Sequence, residues 1–261
     1  MLRQRDGLGF REAAAAVGKP IEGRRPASST PRASQTPPLT PPSSVWQSRA
    51  EAVAVEAEGA LWAPQGVRAL AYLRGRGFAD ETIRDARLGY VPEDRRENPE
   101  AWGLAADHLP VWVPRGVAIP WRTCGAIWRL NVRRPTGSPK YCGPAGSGNG
   151  LYGADGIGHG LPAVLVEGEL DALAVAQQAG DLVSAVATGS TCGGRRDQWV
   201  RLLCTAPVVL VAFDADDPGE QAADWWLAAL PTAKRAVPEG DPAAMLEAGA
   251  DVRVWVEGGL A

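Results

Sequence analysis

From residue 162 onward, short apolar runs alternate with helical patterns, and this alternation restricts the fold more than any other property of the chain. Pro162-Ala163-Val164-Leu165-Val166 and Val208-Val209-Leu210-Val211-Ala212-Phe213 are apolar throughout and rich in β-branched residues, the signature of strands buried on both faces. Further strands over 182–187 and 233–237, and helices over 169–179, 195–204, 218–230 and 242–248, complete the pattern. Strands alternating with helices predict a parallel sheet with flanking helices, an α/β fold. Val252-Arg253-Val254-Trp255-Val256 alternates with period two and is expected to add one more strand.

Each of the two apolar runs ends in acid. Glu167-Gly168-Glu169-Leu170-Asp171 follows the first and Asp214-Ala215-Asp216-Asp217-Pro218-Gly219 the second. Open parallel sheets bind ligands beyond the carboxyl ends of their strands, which would gather Glu167, Asp214 and Asp216 in one place. Two unit charges about 4 Å apart at an effective dielectric of about 20 repel by about 4 kcal/mol. A hard divalent cation, Mg²⁺ or Mn²⁺, removes that penalty, and Mg²⁺ binds through few carboxylates together with substrate phosphates. Alone, Asp214-x-Asp216 is more commonly a helix N-cap with solvated neighbours, and Glu167-Gly168 an ordinary strand-to-helix turn.

At 261 residues and 45% hydrophobic content, the chain can bury a core. It has neither an apolar run of about eighteen residues nor an apolar signal core, so the expected location is cytoplasmic. Cys124, Cys142, Cys192 and Cys204 show no C-x-x-C spacing and are joined by two histidines. Buried, reduced thiols and no zinc site within this chain are the expectation. The net charge of −3 hides an asymmetry: residues 161–261 carry six basic against fifteen acidic side chains. Residues 115–140 hold Arg115, Arg122, Arg129, Arg133, Arg134 and Lys140 without an acid. Such a run is either a solvated strand face or a groove for phosphates.

Upstream, residues 1–19 contain a short helix, Phe10 to Val17, too small to fold alone. Residues 20–49 read as a Pro/Ser-rich linker. Val67 to Leu73 predicts a helix, Gly75-Arg76-Gly77 a break, and Asp80 the N-cap of a second helix through Ile83 and Arg84, with a strand at Leu88 to Pro92. Gly116 to Trp121 and Ala126 to Arg133 flank the turn Thr123-Cys124-Gly125 and predict a hairpin. Period two places Arg129, Asn131 and Arg133 on one face of it, apart from a packed face of Trp128, Leu130 and Val132. Residues 143–150 are Gly-rich and read as flexible, and Trp225 and Trp226 read as packing residues on a helix. The organisation is a helix pair with a basic β-rich subdomain over 60–160 and a metal-binding α/β domain over 161–257.

With these elements in order, the chain from about Val67 to Val256 resembles the catalytic core of bacterial DnaG-type primases, and 162–256 resembles a Toprim domain. The Toprim pattern of Glu-Gly after the first strand and Asp-x-Asp after the third falls on Glu167, Asp214 and Asp216. Asp171 matches the Asp of the primase form of the first motif, and Pro238-Glu239-Gly240-Asp241-Pro242 matches the segment that supplies a further acid, Asp241. Tyr72 to Gly77, Asp80 to Ile83 and Leu88-Gly89-Tyr90 resemble the primase helical subdomain. Arg115 to Tyr152, with Pro139-Lys140-Tyr141 and Leu151-Tyr152-Gly153, resembles the smaller basic α+β subdomain that holds template and nucleotide. The chain departs from the pattern where a second lysine is expected, since Ser147-Gly148-Asn149-Gly150 stands there, and at Ala243, where a second acid is common. Asp6 to Ala13 resembles the helical tail that follows the family's N-terminal zinc ribbon. The expectation is a minimal module of a phage, plasmid or integrated element, without that ribbon or a helicase domain.

The resemblance implies an enzyme that makes short RNA primers on single-stranded DNA during replication. Its partners would be the template, ribonucleoside triphosphates and a replicative helicase, with no membrane. Glu167, Asp214 and Asp216, helped by Asp171 or Asp241, would hold Mg²⁺ and neutralise charge as a 3′-hydroxyl attacks the α-phosphorus. Arg115, Arg129, Arg133, Arg134 and Lys140 would hold phosphates of template or nucleotide. Whether Glu167 is ligand or general base stays open. So do two other readings: hydrolysis by the same carboxylates, as in Toprim nucleases, and a non-catalytic single-strand-binding accessory protein.

Overall fold

The computed structural model describes residues 40–148, 150–238 and 240–261, all within one unit, Pro38–Ala261. The helix expected over 10–17 and the linker up to residue 39 lie outside the described residues. Helix α1 (Ser44–Trp62) begins where Ser43 accepts a hydrogen bond from Trp46 N at 3.2 Å. Trp46, Ala50, Val53, Ala57 and Leu61 recur at helical spacing along its buried side. Residues 44–49, read as linker, are therefore helical, because the serine that ends the Pro/Ser-rich composition serves as an N-cap. Helices α2 (Val67–Gly75) and α3 (Asp80–Asp85) form the expected pair. The N-cap of α3 is Ala79, however, and Asp80 lies in the first turn, where Arg74 donates to both its carboxylate oxygens at 2.8 and 2.7 Å.

Strands follow as β1 (Gly89–Val91), β2 (Arg95–Glu97), β3 (Val111–Val113), β4 (Gly116–Thr123), β5 (Ala126–Arg133) and β6 (Tyr141–Cys142). One antiparallel sheet has the order β1-β4-β5-β6, and β2-β3 is a separate antiparallel pair. The β4–β5 turn carries Cys124 and Gly125 at φ 51° and 77°, the left-handed pair whose twist suits a two-residue hairpin. Asp155 fixes this tip, accepting from Cys124 N at 2.7 Å and Gly125 N at 3.3 Å. One face of the sheet packs Ala118, Leu130 and Val132 against Trp46, Val53 and Ala57 of α1. The polar face of β5 is covered too: Val117, Ile119 and Trp121 share a core with α2 and the C-terminal half, and Asn131 is buried. The period-two geometry holds, but this face meets protein rather than solvent.

The C-terminal half runs β7 (Ala163–Val166), α4 (Glu169–Ala179), β8 (Ser184–Ala187), α5 (Asp197–Leu203), β9 (Val209–Val211), α6 (Asp217–Ala229), β10 (Ala233–Arg235), α7 (Pro242–Glu247) and α8 (Val252–Leu260). Its four strands are parallel in the order β10-β9-β7-β8, giving the α/β sheet with flanking helices. Alternation along β7 sends Val164 and Val166 into a core with Leu170, Leu173, Leu246 and Val256, and Ala163 and Leu165 into one with Trp199, Leu203, Ala222 and Trp226. Tyr152 forms an isolated antiparallel bridge to Ala187 at the open side of β8.

Three further expectations are corrected. Val252 to Val256 is not a strand but the start of α8. Asp251 caps it by accepting from Val254 N at 3.1 Å, and Val252 and Val256, one turn apart, are buried while Val254 is 61% exposed. Spacing i, i+4 satisfies both periods, and the cap selects the helix. Residues 143–148 are not a free loop: Trp46 Nε1 donates to Ala145 O and Gly148 N to Trp128 O, each at 2.8 Å. The cysteines are free thiols, but Cys124, Cys192 and Cys204 are exposed; Cys124 sits at the hairpin turn and Cys204 at the C-cap of α5. Among the described residues no helix is long and apolar enough to cross a membrane.

Candidate functional site

β7 and β9 are bonded neighbours in parallel register, Leu165 opposite Val211, so the residues leaving their carboxyl ends emerge along one edge. Glu167 leaves β7 half-buried; Asp214 and Asp216 leave β9 exposed. Burial, and then the charges of Asp214 and Asp216, push the Glu167 carboxyl above its ordinary range. Asp214 is raised by burial, then by Asp241 and Asp216. Asp171, in the first turn of α4, is pushed well above the ordinary carboxylate range by burial and then by Asp241, although it accepts from Ala243 N at 3.2 Å. The five acids singled out in the sequence thus act on one another electrostatically at this end of the sheet.

Local structure explains their placement. Asp216 caps α6 by accepting from Gly219 N at 2.8 Å, and Asp241 caps α7 by accepting from Ala244 N at 2.5 Å. For Asp216 the capping and clustering readings therefore hold together. A Cβ at Gly168 would collide with the Asp171 carboxylate, so a larger residue between Glu167 and α4 would displace that side chain. Arg76 approaches Asp241 to 4.0 Å, whereas Glu167, Asp171, Asp214 and Asp216 have no ion pair among the described residues. Mutually repelling oxygen donors, of which Asp214 feels Arg235 only through space, fit a hard divalent cation. No three acidic, His or Cys side chains among the described residues close into a metal-enclosing group, so the protein oxygens form no complete cage.

The basic residues divide into separate groups. Arg129 is mostly buried, its guanidinium 4.8 Å from the Trp121 ring centre, and burial pushes it below its ordinary range while Glu169 opposes that shift. Trp121 and Arg129 both border Gly189, whose N–H donates to Glu167 O at 2.7 Å. Arg129 therefore stands beside the carboxylate edge. Arg133 lies 4.5 Å over the Tyr72 ring, Arg134 5.1 Å over Trp112, and Lys140 5.9 Å from Tyr141. Arg115 Nε donates to Tyr90 Oη at 3.2 Å. Arg122 points elsewhere and is paired with Glu51 at 2.7 Å.

Glu169 was not singled out by the sequence, yet it joins the two halves of the site. It is 2% exposed, and its Oε1 accepts from Trp121 Nε1 at 3.0 Å and Asn131 Nδ2 at 2.5 Å. The acidic cluster around it concealed it, since its partners lie on the distant hairpin. Burial and then Glu169 also push the Tyr141 and Tyr152 phenols upward.

A Toprim-like family model matches residues 164–242. A curated DNA primase of Deinococcus radiodurans is 31% identical over 230 residues, 74% of this chain; the chain spans 40% of that relative's length. A DNA primase domain from Pseudomonas aeruginosa is similar with a TM-score of 0.66 at 25% identity, covering 81% of this chain and 78% of that one. A DnaG primase catalytic domain bound to single-stranded DNA is similar with a TM-score of 0.66 at 20% identity, covering 82% and 78%. The chain thus contains a Toprim-like domain and has the fold of the catalytic cores of DnaG-type primases, to which it is similar.

Proposed function

We propose that this chain synthesises short RNA primers on single-stranded DNA, joining ribonucleotides with the help of Mg²⁺ or Mn²⁺. The observation that carries this reading is the electrostatic coupling of Glu167, Asp171, Asp214, Asp216 and Asp241 at the carboxyl edge of the sheet, beside Arg129. In this reading Glu167, Asp214 and Asp216 hold the cation, with Asp171 and Asp241 behind them. The bound cation supplies charge neutralisation at the reacting phosphate. Arg129 and Arg133 orient the triphosphate, and Arg115, Arg134 and Lys140 hold the backbone of the template. A DnaG domain of the same fold binding single-stranded DNA supports the choice of template. A replicative helicase is the proposed cellular partner.

The test is primer synthesis with a single-stranded template, four ribonucleotides and Mg²⁺. Short template-dependent RNA is expected from the wild type, and Glu167→Gln should abolish synthesis while retaining DNA binding. Strand cleavage instead of synthesis, or synthesis surviving Glu167→Gln, overturns the reading. Binding without synthesis under any metal condition supports the accessory protein, which the Gly-rich segment in place of the second lysine favours.

A further inference from the structure

Resting on the reading that the chain binds single-stranded DNA, we infer that Trp112, with Arg96 and Arg134 over its ring, is a docking point for that strand outside the carboxylate cleft. Arg96 and Trp112 are directly cross-strand partners in the β2–β3 pair. Alternation along β2 turns Arg95 and Glu97 toward α1, where they meet Glu56 at 2.7 Å and Arg49 at 2.8 Å. Arg96 is left exposed, its guanidinium carbon 5.5 Å from the Trp112 ring centre, and Arg134 approaches the same ring to 5.1 Å. The indole is anchored by one edge: Asp94 Oδ1 accepts from Trp112 Nε1 at 2.9 Å and from Arg115 N at 3.0 Å.

The charges here form no ion pair, although the Asp94 carboxylate attracts Arg134 and Arg115 through space. Arg49, Arg87, Arg95 and Arg122, from the same half of the chain, all pair with carboxylates. Arg96, Arg115 and Arg134 have no carboxylate within ion-pair distance among the described residues; an aromatic ring or a phenol holds them instead, and Arg134 Nη1 also donates to Pro139 O at 3.3 Å. A guanidinium stacked on an indole keeps its outward N–H groups available to phosphate. Beyond Arg115 the surface dips into a cavity of about 440 Å³ lined by Arg68, Tyr72 and Arg133. Arg133 Nε and Tyr72 Oη in its wall have no hydrogen-bond partner among the described residues. Arg133 and Arg134, successive residues, thus serve the cavity and the platform respectively. Repeated cations beside a fixed indole suit a strand whose bases are unpaired, because stacking needs an open base face, which a duplex does not offer.

The experiment is fluorescence anisotropy with a labelled oligo-dT strand and a labelled duplex at several salt concentrations. Trp112→Ala should weaken strand binding roughly tenfold and duplex binding far less, while Trp112→Phe keeps most of the affinity. Arg96→Ala should flatten the slope of log affinity against log salt by about 0.7. Arg84→Ala, a residue stacked on Trp62 elsewhere, should change neither. Wild-type strand affinity in Trp112→Ala, or an unchanged salt slope in Arg96→Ala, overturns the docking point. If Lys140→Ala still weakens binding in that case, the proposed function stands without it. A wild-type protein that binds no single strand overturns both.

Discussion

Glu169→Ala is the most informative single substitution, because the buried carboxylate holds the hairpin to the parallel sheet. Both its donors are themselves buried, Trp121 and Asn131 each being 1% exposed. Removing the acceptor leaves two buried N–H groups unpaired, at about 1–3 kcal/mol each, so the expected loss is about 2–6 kcal/mol. For a unit of this size each kcal/mol moves the melting temperature by about 2–4 °C, which predicts a fall of roughly 10 °C. Glu169→Gln keeps a carbonyl oxygen for the two donors and loses only the charge facing Arg129, so it should cost about 1–2 kcal/mol. Urea unfolding of the three proteins, with unchanged dependence on denaturant, gives the comparison. An alanine variant within about 1 kcal/mol of wild type, or one equal to the glutamine variant, refutes the reasoning.

Asp214→Asn should bind Mg²⁺ more weakly by calorimetry yet melt higher in chelator, since it removes one of the charges that raise Glu167. Arg49 donates to both oxygens of Glu97 at 2.8 Å and holds that carboxyl below its ordinary value of 4.5. The stability from this pair is full above that value and is lost as pH falls through the lower folded-state pKa. The gap in unfolding free energy between wild type and Glu97→Gln should therefore close in acid and stay constant from pH 6 to 8, roughly the range where neither state titrates. Asp251→Ala should cost about 1 kcal/mol by removing the N-cap of α8; an unchanged melting curve would contradict the capping role.

How much of this was legible in the sequence depends on the range over which each signal acts. The β4–β5 hairpin was readable because its turn residues, Cys124 and Gly125, act locally. The carboxylate edge was readable because β7 and β9 carry unbroken apolar runs with acids immediately behind them. Helix α1 escaped notice because its buried side is mostly small, Ala50, Ala54, Ala57 and Ala60, and gives little contrast to a periodicity. In α8, Val252, Val254 and Val256 alternate like a strand, and that reading gives no weight to Asp251, whose cap on Val254 N selects the helix. The polar face of β5 had its period right and its surroundings wrong, since nothing within 126–133 encodes a carboxylate arriving from α4. Glu169 lies 48 residues from Trp121 and 38 from Asn131, beyond any local pattern.

The bridge between Tyr152 and Ala187 bears on how this sheet avoids its own kind. A parallel sheet has two outer strands whose unpaired N–H and C=O groups can recruit another chain. On the β8 side Tyr152 N donates to Ala187 O at 2.9 Å and Ala187 N to Tyr152 O at 3.1 Å, so the last residue of the strand is already occupied by an antiparallel segment. On the β10 side the strand is three residues long and places exposed Lys234 at its centre. Both margins thereby offer little unbroken backbone for the addition of another strand.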